Sequence, residues 1–190
     1  ILPLLFISMM LGPGLFATEV LKPFRTNMPP VIDGILNDEV WEKSPSVTNF
    51  KTFAPDFGKD GSQKTIASMA YDSENLFFAY HCFDTEPDKI KTSINSRDNM
   101  IQDDWICINL DSFNDQQALT AFYVNPDGIQ ADSKFSGNNE DFSGDLVWYS
   151  ASKMNDSGYT VEVQIPLKSL RYSDKEPVVM SVFFERYISR

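Results

Sequence analysis

Turn signals at short, regular intervals interrupt the alternating apolar stretches of this 190-residue chain. The Asn-Pro-Asp-Gly segment at 125–128 and the Asn-Asp-Ser-Gly segment at 155–158 have the composition of tight chain reversals. A third turn, Asp-Ser-Glu-Asn at 72–75, separates two stretches rich in apolar and aromatic residues. Strands place alternate side chains on opposite faces, so short alternating stretches joined by such turns favour an antiparallel sheet.

The predicted fold is an all-β antiparallel β-sandwich of jelly-roll or immunoglobulin-like type, with a short N-terminal helical turn. Asn37 is predicted to cap that helical turn, and Trp41 is predicted to face the core. An aromatic content of 13% suits this fold, because flat rings pack well on a pleated surface. Strands are predicted at 47–53, 64–71, 76–83, 106–111, 120–125, 129–135, 146–153, 159–165 and 178–188, with a loop at 136–144.

The first residues resemble the apolar and cleavage regions of a secretory signal peptide. We therefore predict a signal-peptide remnant at 1–18, a polar connector at 19–30 and one domain at 31–190. A buried N-terminal helix is the alternative, and the Gly-Pro-Gly segment at 12–14 disfavours it. No other segment approaches the length that spans a membrane.

A formal net charge of −11 excludes some classes of partner. An acidic surface repels phosphate backbones, so we expect no nucleic acid to bind. Neutral ligands such as sugars, and divalent cations, are compatible with this charge.

The chain offers little for nucleophilic catalysis. Its one histidine, His81, lies within a predicted strand, and no catalytic residue is predicted. Cys82 and Cys107 are predicted to be small core residues, although a disulfide between them is permitted in an exported protein.

Acidic residues cluster around the predicted strand at 106–111. Asp103 and Asp104 precede this strand and Asp111 ends it. Loop carboxylates are the ligands that calcium needs, but the spacing matches no recognised calcium loop. A structural calcium ion held by these acids is one interpretation, and solvated turn acids are the other.

Two tryptophans stand at junctions between a loop and a strand, where a ring can lie exposed. Trp148 follows the polar loop and Trp105 follows an acidic pair. Sugars stack their apolar C–H faces on such rings and bind planar polar groups through their hydroxyls. We predict a glycan site in which Arg97, Asp145 and Gln130 supply those polar groups. For either tryptophan, the alternative is a half-buried packing residue.

Three segments resemble family 9 carbohydrate-binding modules. The segment Val-Ile-Asp-Gly-Ile-Leu-Asn-Asp-Glu-Val-Trp at 31–41 is similar to the opening of that family. The Asp-Asp pair leading into the strand at 105–111 resembles its central strand, and residues 159–170 resemble its "W/Y-x-x-E-x-x-I-P-x-x-x-L" segment. Three matches in the family's order are fairly specific.

A narrower resemblance links residues 125–132, 170–172 and 184–190 to large bacterial envelope proteins common in Bacteroidetes. In those proteins a family 9-like domain follows the signal peptide and precedes a long β-rich region, interpreted as an outer-membrane barrel. The resemblance implies export to the periplasm, outer membrane or cell surface of a Gram-negative bacterium. It also implies a downstream β-barrel region in the same chain.

The resemblance also implies a site. Family members clamp a sugar between two tryptophans, with a glutamate on the central strand, and they bind structural calcium. Trp148 with Asp145 matches one half of the clamp, but the glutamate falls at Cys107 and the second tryptophan near Ile101.

The leading hypothesis is a non-catalytic glycan-binding module linked to polysaccharide catabolism. The alternatives are a periplasmic docking module without a sugar site and a glycoside hydrolase, for which two carboxylates would have to face each other across a cleft.

Overall fold

The structure is a computed structural model and describes residues 4–8, 19–100, 102–137 and 139–190. Helix α1 spans Glu39–Lys43, and short 3-10 turns lie at Pro87–Lys89 and Leu167–Ser169. In chain order the strands are β1 (Leu4–Ser8), β2 (Glu19–Leu21), β3 (Phe24–Arg25), β4 (Ser46–Val47), β5 (Thr65–Tyr71), β6 (Asn75–Phe83), β7 (Trp105–Asp111), β8 (Ala118–Val124), β9 (Gln130–Ser136), β10 (Asn139–Asp141), β11 (Tyr149–Asn155), β12 (Gly158–Pro166) and β13 (Val178–Tyr187).

These strands form two sheets. The seven-stranded sheet has the order β10-β9-β8-β7-β13-β1-β2. The other sheet has the order β11-β12-β6-β5-β3, and β4 also pairs with β5. Neighbours are antiparallel except in two pairs, β1 with β13 and β3 with β5. The predicted all-β sandwich is confirmed.

The inner faces of both sheets supply one hydrophobic core. On β7, Ile106, Ile108 and Leu110 point inward and are at most 1% exposed. On β6 of the other sheet, Phe78 and Tyr80 meet them from the opposite side. Burying each such side chain stabilises the fold by about 1.5–3 kcal/mol, and the alternation leaves the opposite residues of β7 on the outer face of its sheet.

Helix α1 covers the outside of the smaller sheet. Trp41 is buried there, as predicted, and its Nε1 donates a hydrogen bond to Glu162. Asp38 rather than Asn37 occupies the N-cap position, and its side chain makes no capping bond. Asp38 instead accepts a hydrogen bond from the backbone N–H of Val31. The prediction for Asn37 is therefore wrong.

Most predicted strands are confirmed within two residues, and three segments differ. The stretch predicted as strand 47–53 pairs with β5 only at Ser46–Val47. The predicted loop 136–144 contains the short strand β10, which pairs with β9. The strand predicted from 146 begins at Tyr149, because Leu146 instead bonds to Asp132 in the other sheet.

Residues 4–8 are the only part of the predicted signal-peptide remnant that the structure describes, and they form β1. Residues 1–3 and 9–18 lie outside the described residues, and the signal peptide stays a prediction. Among the described residues, no helix has the length and apolar character needed to cross a membrane. Cys82 and Cys107 are both buried and unpaired.

Candidate functional site

A pocket of about 380 Å³ lies on the side of the sandwich where β9 of one sheet approaches β11 of the other. The side chains of Gln130 and Ser150 join the two strands there, with Nε2 of Gln130 2.9 Å from Oγ of Ser150. The pocket is lined by Arg97, Gly128, Ile129, Gln130, Trp148, Tyr149 and Ser150.

Arg97 reaches into this pocket from the loop that precedes β7. Its guanidinium donates a hydrogen bond of 2.7 Å to the side-chain oxygen of Gln130 and forms an ion pair with the buried Asp132. The guanidinium also lies over the Trp148 ring, 5.6 Å from the ring centre. Asp132 also accepts a 3.0 Å hydrogen bond from Nε1 of Trp148. A charge buried with this many partners is held in one geometry, so the wall of the pocket is rigid.

Asp145 stands at the outer rim of the same cluster. Its Oδ1 lies 3.3 Å from Nε of Arg97, and its side chain is 77% exposed. Nε of Arg97 makes no well-aligned hydrogen bond to any described residue. Of the predicted ligand-binding residues, the structure therefore brings Arg97, Asp145, Gln130 and Trp148 together, and Nε of Arg97 is paired only with the exposed Asp145 carboxylate.

Asp98 fastens the loop that carries Arg97 to strand β9. It has φ of 67°, which presents its backbone N–H to the carbonyl oxygen of Gln130 and its carboxylate to the N–H of Asp132. Burial raises the pKa of the Asp98 carboxyl, and the nearby acids Asp132 and Asp145 raise it further against the opposing effect of Arg97. The loop is thus tied to β9 through side-chain and backbone bonds.

The prediction that Trp148 offers an open stacking ring is wrong. The residue is only 4% exposed and packs edge-to-face on Phe122, with ring centres 5.3 Å apart. Its indole edge contributes to the pocket wall, but its faces are taken up by the core and by Arg97. Trp148 follows the exposed Val147, so alternation along the chain turns its ring inward.

Tyr149 is the exposed ring that the sequence interpretation missed. It lines the pocket and is 53% exposed. The signal was present, because in an alternating stretch an inward Trp148 places its neighbour outward. The pocket therefore has an aromatic group at its rim, supplied by a tyrosine in place of a tryptophan.

Trp105 does not line this pocket, and its part in ligand binding stays a prediction. It begins β7 on the outer face of the seven-stranded sheet and stacks on Tyr187, with ring centres 5.1 Å apart. Half-buried packing, the alternative weighed for this residue, is what the structure shows. Ile101, the position expected for the second clamp residue, lies outside the described residues.

The three predicted calcium ligands each accept hydrogen bonds from a different segment of the chain. Asp103 accepts hydrogen bonds from Ser93 and Asn125, while Asp104 accepts from Ser189. Asp111 accepts from two N–H groups of the loop that follows β7, at the opposite end of that strand. Among the described residues no group of three or more acidic, histidine or cysteine side chains has the arrangement of a metal site. These three residues do not fit one calcium ion.

The two thiols are poor nucleophiles. Burial raises the pKa of Cys82 to about 11 and raises the pKa of Cys107 well above its usual value. Cys107 also stands where the family resemblance places a sugar-binding glutamate. Its side chain is fully buried, so it lines no part of the pocket beside Tyr149.

Comparisons with known proteins place the chain beside carbohydrate-binding domains. Residues 32–185 match the profile of the carbohydrate family 9 binding domain-like family. No curated protein sequence gives a significant match.

Three solved structures share the fold. A family 9 module from Caldicellulosiruptor kristjanssonii in complex with cellotriose is 21% identical over 85% of this chain and 73% of its own, with a TM-score of 0.59. The structure of such a module from that organism with glucose is 20% identical over 85% of this chain and 75% of its own, with a TM-score of 0.59. A Bacteroides uniformis protein proposed to bind carbohydrate is 9% identical over 88% of this chain and 83% of its own, with a TM-score of 0.63.

Proposed function

The chain belongs to the carbohydrate family 9 binding domain-like family, and we propose that it is a non-catalytic module that binds a short saccharide in the pocket beside Tyr149. One observation carries this proposal. An exposed aromatic ring and polar groups that can still form hydrogen bonds lie in the same preformed pocket. The complexes of the fold relatives with cellotriose and glucose support the choice of ligand class.

The polar groups of the pocket suit hydroxyls. Gln130 uses one N–H toward Ser150 and its oxygen toward Arg97, which leaves a second N–H and a lone pair for a ligand. The Ser150 hydroxyl accepts from Gln130 and keeps its own proton to donate. Nε of Arg97 adds a third donor once the exposed Asp145 carboxylate moves aside.

Tyr149 supplies the apolar contact. A pyranose ring presents C–H groups on its faces, and these pack on an aromatic ring. A volume near 380 Å³ is at the small end of ligand pockets, so one or two sugar residues would fit. Each hydroxyl gives up water to bind, so we expect a dissociation constant on the order of 1 mM.

Calorimetric titration of the 190-residue chain with cellotriose, xylotriose and glucose tests the proposal. We expect Tyr149→Ala to weaken binding about fivefold to tenfold, the amount that one aromatic contact contributes. Met154→Ala, an exposed change near the other end of β11, is the matched control and should leave binding unchanged. Absence of heat from the unmodified chain with all three sugars at roughly 10 mM would contradict the proposal.

A structural docking module is the second candidate, and a specific observation favours it. The tryptophan expected to form half of the clamp is buried in the core, and Cys107 replaces the expected glutamate. A chain that binds no sugar but associates with the β-rich region of a longer protein would fit this reading.

Hydrolysis is disfavoured at the pocket. Of the acids beside the pocket, Asp132 and Asp145 both pair with the Arg97 guanidinium, and Asp98 accepts from the backbone N–H of Asp132. None of the three is therefore placed to act as a general acid. Export to the bacterial envelope, a role in polysaccharide catabolism, a downstream β-barrel and a structural calcium ion at some other position are further parts of the proposal, supported by the sequence resemblance alone. Export is tested by fractionating cells and finding which fraction contains the intact protein.

A further inference from the structure

The pocket beside Tyr149 contains more negative than positive charge. Arg97 is the only basic residue in its described lining. Three carboxylates lie around that guanidinium, since Asp132 and Asp145 form ion pairs with it and Asp98 accepts from the backbone N–H of Asp132. Burial raises the pKa of Asp98, but even with a proton on that carboxyl two carboxylates face one guanidinium. A ligand that enters the pocket therefore meets an excess of negative charge.

The two ion pairs of Arg97 differ in burial. The Asp132 side chain is 1% exposed and also accepts hydrogen bonds from Nε1 of Trp148 and the backbone N–H of Leu146. The Asp145 side chain is 77% exposed, and its Oδ1 lies 3.3 Å from Nε of Arg97 without a well-aligned hydrogen bond. Exposed ion pairs of this kind contribute little to stability, because water solvates both charges. Asp145 can therefore leave Arg97 with little loss, while Asp132 continues to neutralise the guanidinium.

A cationic group on a ligand would give Asp145 a new partner at the rim. Arg97 would keep its ion pair with Asp132, and its Nε–H would become free to donate to a ligand hydroxyl. An anionic group would gain no such exchange, because Asp132 already pairs with the guanidinium and the Asp145 carboxylate would repel it. The charges of the pocket thus favour positive ligands over negative ones.

The remaining groups of the pocket suit a sugar ring that carries this cation. Tyr149 offers an exposed ring, and Gln130 and Ser150 offer neutral hydrogen-bonding groups. Amino sugars combine the required features, because each unit has a pyranose ring, hydroxyls and one protonated amine. Simple amines have the charge but neither the ring nor the hydroxyls.

We infer that the pocket beside Tyr149 prefers amino sugars, such as short oligomers of glucosamine, and that Asp145 sets this preference by pairing with the ligand amine. The preference rests on the proposed function and deepens it, because it names the class of saccharide that the pocket binds best. Asp145 turns from Arg97 to the ligand, the freed Nε–H donates to a hydroxyl, and Tyr149 packs against the sugar ring.

Calorimetric titration of the 190-residue chain with triglucosamine and cellotriose tests the preference, because the two sugars differ only in an amine or a hydroxyl at the second carbon of each unit. At about pH 6 the amines carry protons. We expect triglucosamine to bind about threefold to fivefold more tightly at low salt, the amount that one exposed ion pair contributes, and the difference to disappear in roughly 1 M NaCl.

Two variants with the same change of charge locate the effect. Asp145→Asn should bring the affinities for the two sugars together, because the amine loses its partner. Asp156→Asn is the matched control, since Asp156 is exposed in the turn between β11 and β12, at the other end of β11 from Tyr149. It should retain the difference between the sugars.

The outcomes distinguish the preference from the proposed function. Equal affinities for the two sugars in the unmodified chain would overturn the preference and leave the proposed function in place. A difference that persists in Asp145→Asn, or that Asp156→Asn also removes, would reveal a general attraction to the acidic surface and would overturn the preference too. Tighter binding of trigalacturonic acid than of cellotriose would mean that Arg97 selects anions, which contradicts the preference. Absence of heat with every sugar at roughly 10 mM would remove both.

Discussion

Glu162 on β12 accepts a hydrogen bond of 2.7 Å from Nε1 of Trp41 on helix α1. The same carboxylate accepts from the backbone N–H groups of Asp33 and Gly34, at 3.1 and 2.8 Å. Two sequence segments that resemble family 9 modules, one near each end of the domain, are thus joined through one fully buried side chain.

Replacing Glu162 by Ala should lower the free energy of unfolding by about 3–5 kcal/mol, because three donors lose their acceptor. Glu162→Gln should lose less, since its oxygen still accepts. Urea unfolding followed by fluorescence measures both. Glu39→Ala removes an exposed pair with Lys43 and should change stability by about 0.5 kcal/mol or less. Equal effects of the Glu162 and Glu39 changes would show that the buried carboxylate contributes little.

The variant Trp148→Phe tests whether Trp148 stabilises the core or contacts the saccharide. The change retains an aromatic ring in the core but removes the hydrogen bond to Asp132, so we expect a loss of stability of about 2 kcal/mol. Saccharide affinity should change by less than about twofold, because the ring faces are not open to a ligand. Thermal unfolding and calorimetry on one preparation give both values. A folded Trp148→Phe variant without sugar binding would restore Trp148 as the stacking ring.

Asp103→Ala should destabilise the fold by about 2–3 kcal/mol, because Ser93 and Asn125 lose their shared acceptor. The loss should be the same in EDTA and in excess calcium, since the bonds of Asp103 are to protein groups. Thermal unfolding in the two buffers measures it. A loss that appears only with calcium present would identify Asp103 as a metal ligand.

The Asp84 carboxylate makes the stability of the fold depend on pH in the acidic range. Burial by itself would raise its pKa, but hydrogen bonds from Arg190 and the backbone of Glu86, with the charges of Arg190 and Arg186, hold the pKa below its ordinary value of 3.8. Its contribution is therefore complete at neutral pH and is lost as the pH falls below 3.8 through the folded-state pKa. Asp84→Asn should cost about 2 kcal/mol at pH 7, and the difference from the unmodified chain should shrink toward pH 3. A difference independent of pH would exclude this linkage.

The strands could be predicted because their alternation is local and their turns have distinctive composition. The residues of the pocket could be predicted only in part, since Arg97, Gln130 and Ser150 meet through sheet topology that no local pattern encodes. Trp148 was misinterpreted because a tryptophan at a loop junction suits stacking and packing equally well.

The bond between Trp41 and Glu162 spans 121 positions of the chain. During synthesis on the ribosome, helix α1 emerges long before its acceptor exists, so it cannot lock onto the smaller sheet until β12 has left the exit tunnel. Contacts of such long range form late, because the intervening chain must first be ordered. The domain therefore completes its folding only after β12 has been synthesised, when the segments that contain Trp41 and Glu162 are both present.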